Sequence, residues 1–351
     1  MAGGGPMSAP SAPGGRLRAY LEFIVAVLFF FLARSTAHRA GAILASAAWL
    51  PLVEQAIFLF LLVVVFAAFG LVFDRQQNPV AAQGLPLRAG WRGEAGLGMA
   101  VGWGAAVVCV LPLALFGGIA VIPTMHPAAW GWLVADAAFF ALTALAEEVA
   151  FRGYGFQRFE AVVGPLGASL GFALFYAIVQ SLQPGASHIS FAVSVVFSFV
   201  LCTAYVRTRA LWVSWGINFA WKASRALLFG LAVSGVSIHS PVIEGDPMGP
   251  FWLTGGGFGL DASWLALFVL LAALPVVYRL TRDLDFHYNA PVFEPGGIAV
   301  DVDAAARRQH EAAMGTETPA SAQLVQILPA APVPPANPAP GTEMGAHPNA
   351  E

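Results

Sequence analysis

The stretch LAEEVAFRGYGFQRF, residues 145–159, sets two adjacent carboxylates, Glu147 and Glu148, and then Arg152 at the end of a long apolar run. Upstream, WGWLVADAAFFALTA at 130–144 carries Asp136 as its single charge. A run of this kind reads as a membrane helix, and an ionised side chain inside one costs on the order of 2.5 to 3.5 kcal/mol on insertion scales. Intramembrane carboxylates therefore face protein or a protein-lined cavity rather than lipid. Adjacent helical residues point about 100° apart, so one glutamate can face a cavity while Glu148 pairs with Arg152, four residues on. The plainest alternative is a helix end at the membrane interface, with Arg152 snorkelling toward headgroups.

The rest of the chain agrees with a membrane setting. Of its 351 residues 58% are hydrophobic and 11% charged, and the mean hydropathy is +0.71, which excludes an ordinary soluble domain. A net charge of −3, spread along the chain, gives nucleic acid nothing to bind. Cys109 and Cys202 both lie in apolar segments and read as small buried thiols rather than a disulfide or metal framework.

Apolar stretches near 18–33, 42–73, 96–122, 130–150, 165–181, 189–206, 211–233 and 262–280 predict about eight membrane helices, since ~30 Å of hydrocarbon takes ~20 apolar residues. The fold class is all-α, a polytopic transmembrane bundle. Residues 1–16 read as a disordered Gly/Pro/Ala/Ser-rich segment, 17–95 as N-terminal membrane helices with a cytoplasmic loop, and 96–283 as the membrane core. Residues 284–351 read as a largely disordered Pro/Ala-rich cytoplasmic tail. The second stretch is long for one span, and Pro51 and Glu54 in it predict an interfacial turn before the span proper.

Arginine placement predicts orientation. Arg75, Arg88 and Arg92 precede the third span, while Arg152 and Arg158, Arg207 and Arg209, and Arg279 and Arg282 follow the fourth, sixth and eighth. The loops near 123–129, 182–188 and 234–261 hold no Lys or Arg. By the positive-inside rule the Arg-bearing side and both termini are cytoplasmic, in a bacterial-type inner or plasma membrane. Arg34 and Arg39 fall on the opposite side.

EEVAFRGYGFQRF resembles the first motif, Glu-Glu-x-x-x-Arg followed by Gly, of the CAAX protease and bacteriocin-processing (CPBP, or Abi) family of membrane endopeptidases. The likeness continues in order. YAIVQSLQPGA, 176–186, resembles the Phe-x-x-x-His second motif, with Tyr176 at the Phe position and Gln180 at the His. ALWVSWGINFAWK, 210–222, resembles the His-x-x-x-Asn third motif, with Asn218 at the His position and Lys222 at the Asn. The resemblance covers roughly 130–260 and implies a CPBP-like helical core. It also implies a cytoplasm-facing cavity in which the first glutamate and the second-motif His activate water, while the third-motif groups stabilise an oxyanion. Catalytic roles carry over to Glu147, Glu148 and Arg152; Gln180, Asn218 and Lys222 are degenerate positions.

The departures share one chemistry. Gln180 and Asn218 keep hydrogen bonds but cannot take a proton near pH 7 and are poor ligands for a zinc-like ion, so no metal or other cofactor is expected. An ammonium at 222 needs a partner and predicts a buried pair with Glu147 or Glu148, which would keep that carboxylate ionised and make it a poor base. Three readings follow. The first is a degenerate family member that keeps the cavity to bind a peptide, lipid or protein partner. The second is an active endopeptidase with an altered centre, acting through Glu147 on a lipidated or membrane-embedded peptide, with Lys222 as a candidate base. The third is an unrelated transporter or structural membrane protein.

Other features carry less. His126, His188 and His239 lie in or near the loops opposite the carboxylates, and His287 beside the membrane; all read as interfacial polar residues. Gly98 and Gly102 in GLGMAVGWG suit close helix packing rather than a nucleotide loop, and TGGGFG at 254–259 reads as a loop turn. Asp136 is weighed as a further group facing the cavity of Glu147.

Overall fold

The computed structural model describes residues 13–124, 127–235 and 242–289. The expectations for residues 1–12, for His126 and His239, and for the tail from 290 onward lie outside the described residues. Among the described residues eleven α-helices appear in the order α1 (Pro13–Leu44), α2 (Leu50–Asp74), α3 (Pro79–Ala82), α4 (Trp91–Leu115), α5 (Pro127–Arg152), α6 (Tyr154–Gln180), α7 (His188–Thr208), α8 (Trp212–Ala223), α9 (Phe251–Thr254), α10 (Trp264–Leu280) and α11 (Arg282–Asn289). Two short strands, β1 (Ile119–Pro123) and β2 (Ile243–Pro247), pair antiparallel with Ile119 opposite Pro247.

Among the described residues four helical segments are long and apolar enough to cross a membrane, Leu50–Asp74, Trp91–Leu115, Ala129–Gln180 and His188–Thr208. The third of these contains both α5 and α6. A fifth is reached if α10 and α11, bent by 53°, form one span. The chain is an integral membrane protein built as a helical bundle, with one helix for each predicted apolar stretch.

Boundaries differ from expectation in several places, among them the ends of α1 at Leu44 and of α8 at Ala223, and four of the differences have a local reason. The third apolar stretch ends at Leu115, and Ile119–Pro123 leaves the helix to pair with β2. α1 begins at Pro13, inside the segment assigned to the leading tail; a helix start tolerates proline because its missing N–H would be unpaired there anyway. α6 begins at Tyr154, eleven residues before the predicted stretch, and bends at Gly164, whose φ of 80° lies just before Pro165. Proline disfavours helical geometry in the residue before it, and glycine accepts the left-handed alternative. α11 extends helix into the region assigned to the tail: Arg207 donates from Nε to Thr281 (2.8 Å) and pairs with Asp285 (2.9 Å).

α2 starts at Leu50 with Pro51 in its first turn, as Pro51 and Glu54 suggested. Glu54 lies 3.0 Å from His38 and 3.6 Å from Arg34. Arg34, out of place for the orientation rule, is thus held by a carboxylate.

α4 and α8 meet backbone to backbone. A Cβ built on Gly98 would lie 2.1 Å from the Val213 carbonyl oxygen, one on Gly102 2.4 Å from that of Ile217, and one on Gly216 2.3 Å from that of Ala95. Only glycine allows this approach, which sets the position of α8 and so of Asn218 and Lys222. α1 is fastened across the first-motif helix by aromatic contacts, with the Phe30 ring centroid 5.5 Å from Phe151 and 5.8 Å from Phe175. At the Arg-bearing end, Arg158 pairs with Glu22 (3.3 Å) and Asp74 (2.9 Å), and Arg209 with Glu160 (2.8 Å). Ser187 caps α7, its Oγ accepting from the Ser190 N–H at 3.2 Å. Cys109 and Cys202 are free and buried.

Candidate functional site

The last turns of α5 separate the two glutamates as helix geometry requires. Glu148 is fully buried and accepts from Arg152 Nη1 at 3.2 Å. Arg152, also fully buried, is fixed in turn by α7: its Nη2 donates to Ser198 Oγ (2.7 Å) and to the Ser198 carbonyl (3.2 Å). Glu147 points the other way, toward α6 and α8.

Asn218 and Lys222 stand one turn apart on the buried face of α8. Asn218 Nδ2 donates to Glu147 Oε2 at 3.0 Å and to Glu148 Oε1 at 2.9 Å, so one amide bridges both carboxylates. Lys222 Nζ lies 2.5 Å from each oxygen of Glu147. Gln180, at the end of α6, does not touch a carboxylate. It donates to the Tyr176 hydroxyl at 2.9 Å, and that hydroxyl donates to Glu147 Oε2 at 3.4 Å. The six residues singled out from the sequence, Glu147, Glu148, Arg152, Gln180, Asn218 and Lys222, thus join one network, Gln180 through Tyr176.

The network leaves Glu147 little freedom as a base. Oε1 accepts from Lys222, and Oε2 accepts from Lys222, Asn218 and Tyr176. A general base needs a lone pair aimed at the proton it removes, within about 2.6 to 3.2 Å or through one water. Here donors of the protein itself occupy both oxygens. Losing one partner of a buried ion pair costs about 3 to 5 kcal/mol, so the Lys222 contact is not released lightly.

Asp136 is buried on α5, eleven residues before Glu147, roughly 16 Å away at ~1.5 Å per residue, and it does not line the cavity below Lys222. His188 opens α7, and the His287 ring stacks edge-on against Tyr288 on α11; neither joins the network. Among the described residues no group of three or more His, Cys, Asp or Glu is arranged to hold a metal ion.

A second charged cluster adjoins the first and was missed in the sequence. α8 continues into a π-helical turn, Ser224–Leu228, which brings in the fully buried Arg225. Its Nη1 donates to Asp261 Oδ1 at 2.7 Å, its Nε to the Trp221 carbonyl at 2.9 Å, and its guanidinium lies 4.2 Å from the Trp221 ring centroid. Ser234 Oγ also donates to Asp261, at 3.0 Å. Burial works to raise the Asp261 carboxyl, but Arg225 and Ser234 outweigh it and hold the group below its ordinary value. Between the clusters lies a small, water-sized cavity bordered by Tyr176, Gln180, Lys222, Arg225, Ser234 and Asp261. One sequence signal pointed here: Arg225 stands seven residues after Asn218 and three after Lys222, a spacing that puts all three on one helical face.

With this geometry in place, comparison with known proteins adds a family match. Residues 127–224 match the family described as Rce1-like, type II CAAX prenyl endopeptidase Rce1-like, a range holding all three motif segments. No curated protein and no solved structure matches the chain.

Proposed function

We propose, for a membrane protein whose residues 127–224 belong to the type II CAAX prenyl endopeptidase Rce1-like family, that its centre is catalytically degenerate and that the helical cradle around it binds a partner instead of cutting one. The occupant we favour is a membrane-embedded or lipidated peptide; a lipid or a protein partner is the alternative. The observation that carries this reading is the Lys222 ammonium 2.5 Å from both oxygens of Glu147. With Gln180 and Asn218 at the imidazole positions, the centre has no group to take up the proton that Glu147 cannot accept. A zinc-like ion does not fit either, because the remaining donors are two carboxylates already engaged by Lys222, Asn218 and Arg152. The bilayer is the inner or plasma membrane of a bacterial-type cell, with the Arg-bearing ends cytoplasmic.

The test is cleavage of a prenylated peptide by purified wild type beside a Glu147→Ala variant. The expected result is intact peptide with both. Cleavage by wild type that disappears in the variant would establish an active endopeptidase with an altered centre and end this reading.

A further inference from the structure

We infer that the cavity below Lys222 is a subsite for an uncharged oxygen acceptor, of the class of a peptide backbone carbonyl, with Arg225 Nη2 as its principal donor. The inference rests on the peptide-binding reading above and adds to it a residue outside the three motifs. Arg225 is fully buried and lines the cavity. Its Nε and Nη1 are engaged by Trp221 and Asp261, while Nη2 has no hydrogen-bond partner. A guanidinium presents its donors in a rigid fork, so an arm left over by two fixed contacts points in a set direction. The rest of the wall adds donors: the Lys222 ammonium and the Gln180 amide, each with an N–H beyond those already engaged, and the Ser194 hydroxyl. Such a wall recognises an oxygen acceptor.

Charge decides which acceptor. Arg152, Lys222 and Arg225 face Glu147, Glu148 and Asp261, each cation within 3.2 Å of one of these carboxylates. The buried cluster is already neutral, and a further anion would bring in an unbalanced charge at high desolvation cost. A carbonyl oxygen adds no charge. The recess has room for about one water-sized group, so it takes a single oxygen atom of a longer molecule. Trp221, Lys222 and Arg225 share one helical face by their i,i+3 and i,i+4 spacing, and Arg225 sits in a π-helical turn of the kind that recurs at functional sites.

Equilibrium binding to the full-length protein in detergent tests this with two probes, an N-acetylated leucyl-valyl-alanine amide and the same peptide as the free acid. Arg225→Lys keeps a cation beside Asp261 but removes the spare arm, and Ser194→Val narrows the cavity without touching an ion pair. Wild type should bind both probes with similar affinity. Each variant should weaken the amide about tenfold or more, the worth of one charge-assisted hydrogen bond. Unchanged affinity in both variants overturns the subsite, and much tighter binding of the free acid overturns the uncharged class in favour of a carboxylate. No binding of either probe by wild type overturns the peptide reading itself.

Discussion

Rebuilding the absent groups together, with Gln180→His, Asn218→His and Lys222→Asn, is expected to raise peptide cleavage by about 10²-fold or more over wild type, the lower end of what positioned acid and base groups supply. Each change answers a contact in the structure. Removing the ammonium at 222, which approaches both oxygens of Glu147 to 2.5 Å, frees Oε1 and takes one of three donors from Oε2. A histidine at 218 replaces an amide whose Nδ2 lies 3.0 Å from Glu147 and 2.9 Å from Glu148, so an imidazole there starts within reach of the first-motif pair. The least direct position is 180, because the Tyr176 hydroxyl stands between Gln180 and Glu147. Adding Tyr176→Phe, the residue type usual at that place in the resembling motif, should therefore raise the gain further. Both variants would be compared with wild type on one prenylated peptide. No gain in either means that the cavity, and not only its chemistry, has departed from an endopeptidase.

Replacing Gly98 by valine is expected to damage the bundle severely, costing upward of about 3 kcal/mol, at or beyond the usual upper range for overpacking. The added carbon would lie 2.1 Å from the Val213 carbonyl oxygen, and a backbone atom cannot rotate away as a side chain can. α8 must move as a whole, and with it Asn218 and Lys222, so loss of stability should be accompanied by loss of the Glu147 contact. The control is on the same helix: nothing lies within 4 Å of a Cβ at Gly104. Gly104→Ala should be neutral or stabilising by up to about 1 kcal/mol, because alanine loses less backbone freedom on folding. Thermal unfolding in one detergent separates the cases. Equal melting of the two variants would refute close α4–α8 packing as what positions the site.

The sequence made the helices legible because each apolar run announces its own span, and it made the site legible because three motif segments each place their side chains at fixed helical spacing. Glu148 meets Arg152 through an i,i+4 relation visible in the sequence, and Lys222 meets Glu147 because a lone ammonium in an apolar setting requires a carboxylate. What stayed hidden depends on long-range pairing or irregular backbone. β1 looked like the end of a helix, since its partner β2 lies more than a hundred residues away and the register Ile119 to Pro247 has no local signature. Arg225 was passed over although its spacing puts it on the face of Asn218 and Lys222; its partner Asp261 comes from a loop 36 residues on, which helical periodicity does not foretell. Tyr176 was noted as a substitution for Phe, and its added hydroxyl proved to be the link from Gln180 to Glu147.

The central claim is that Lys222 occupies Glu147, and the chain offers a direct probe because Lys222 is its single lysine. Native protein in detergent would be treated with an amine-acetylating reagent, and acetylation at Lys222 read by mass spectrometry in wild type and in Glu147→Gln. A protonated, paired amine is not nucleophilic, so wild-type Lys222 should stay unmodified until the protein is denatured. In Glu147→Gln the carboxylate that engages the amine is gone, and the side chain is released from that contact. Acetylation of native Lys222 should then rise clearly above wild type. Equal modification of Lys222 in both native proteins would contradict the account.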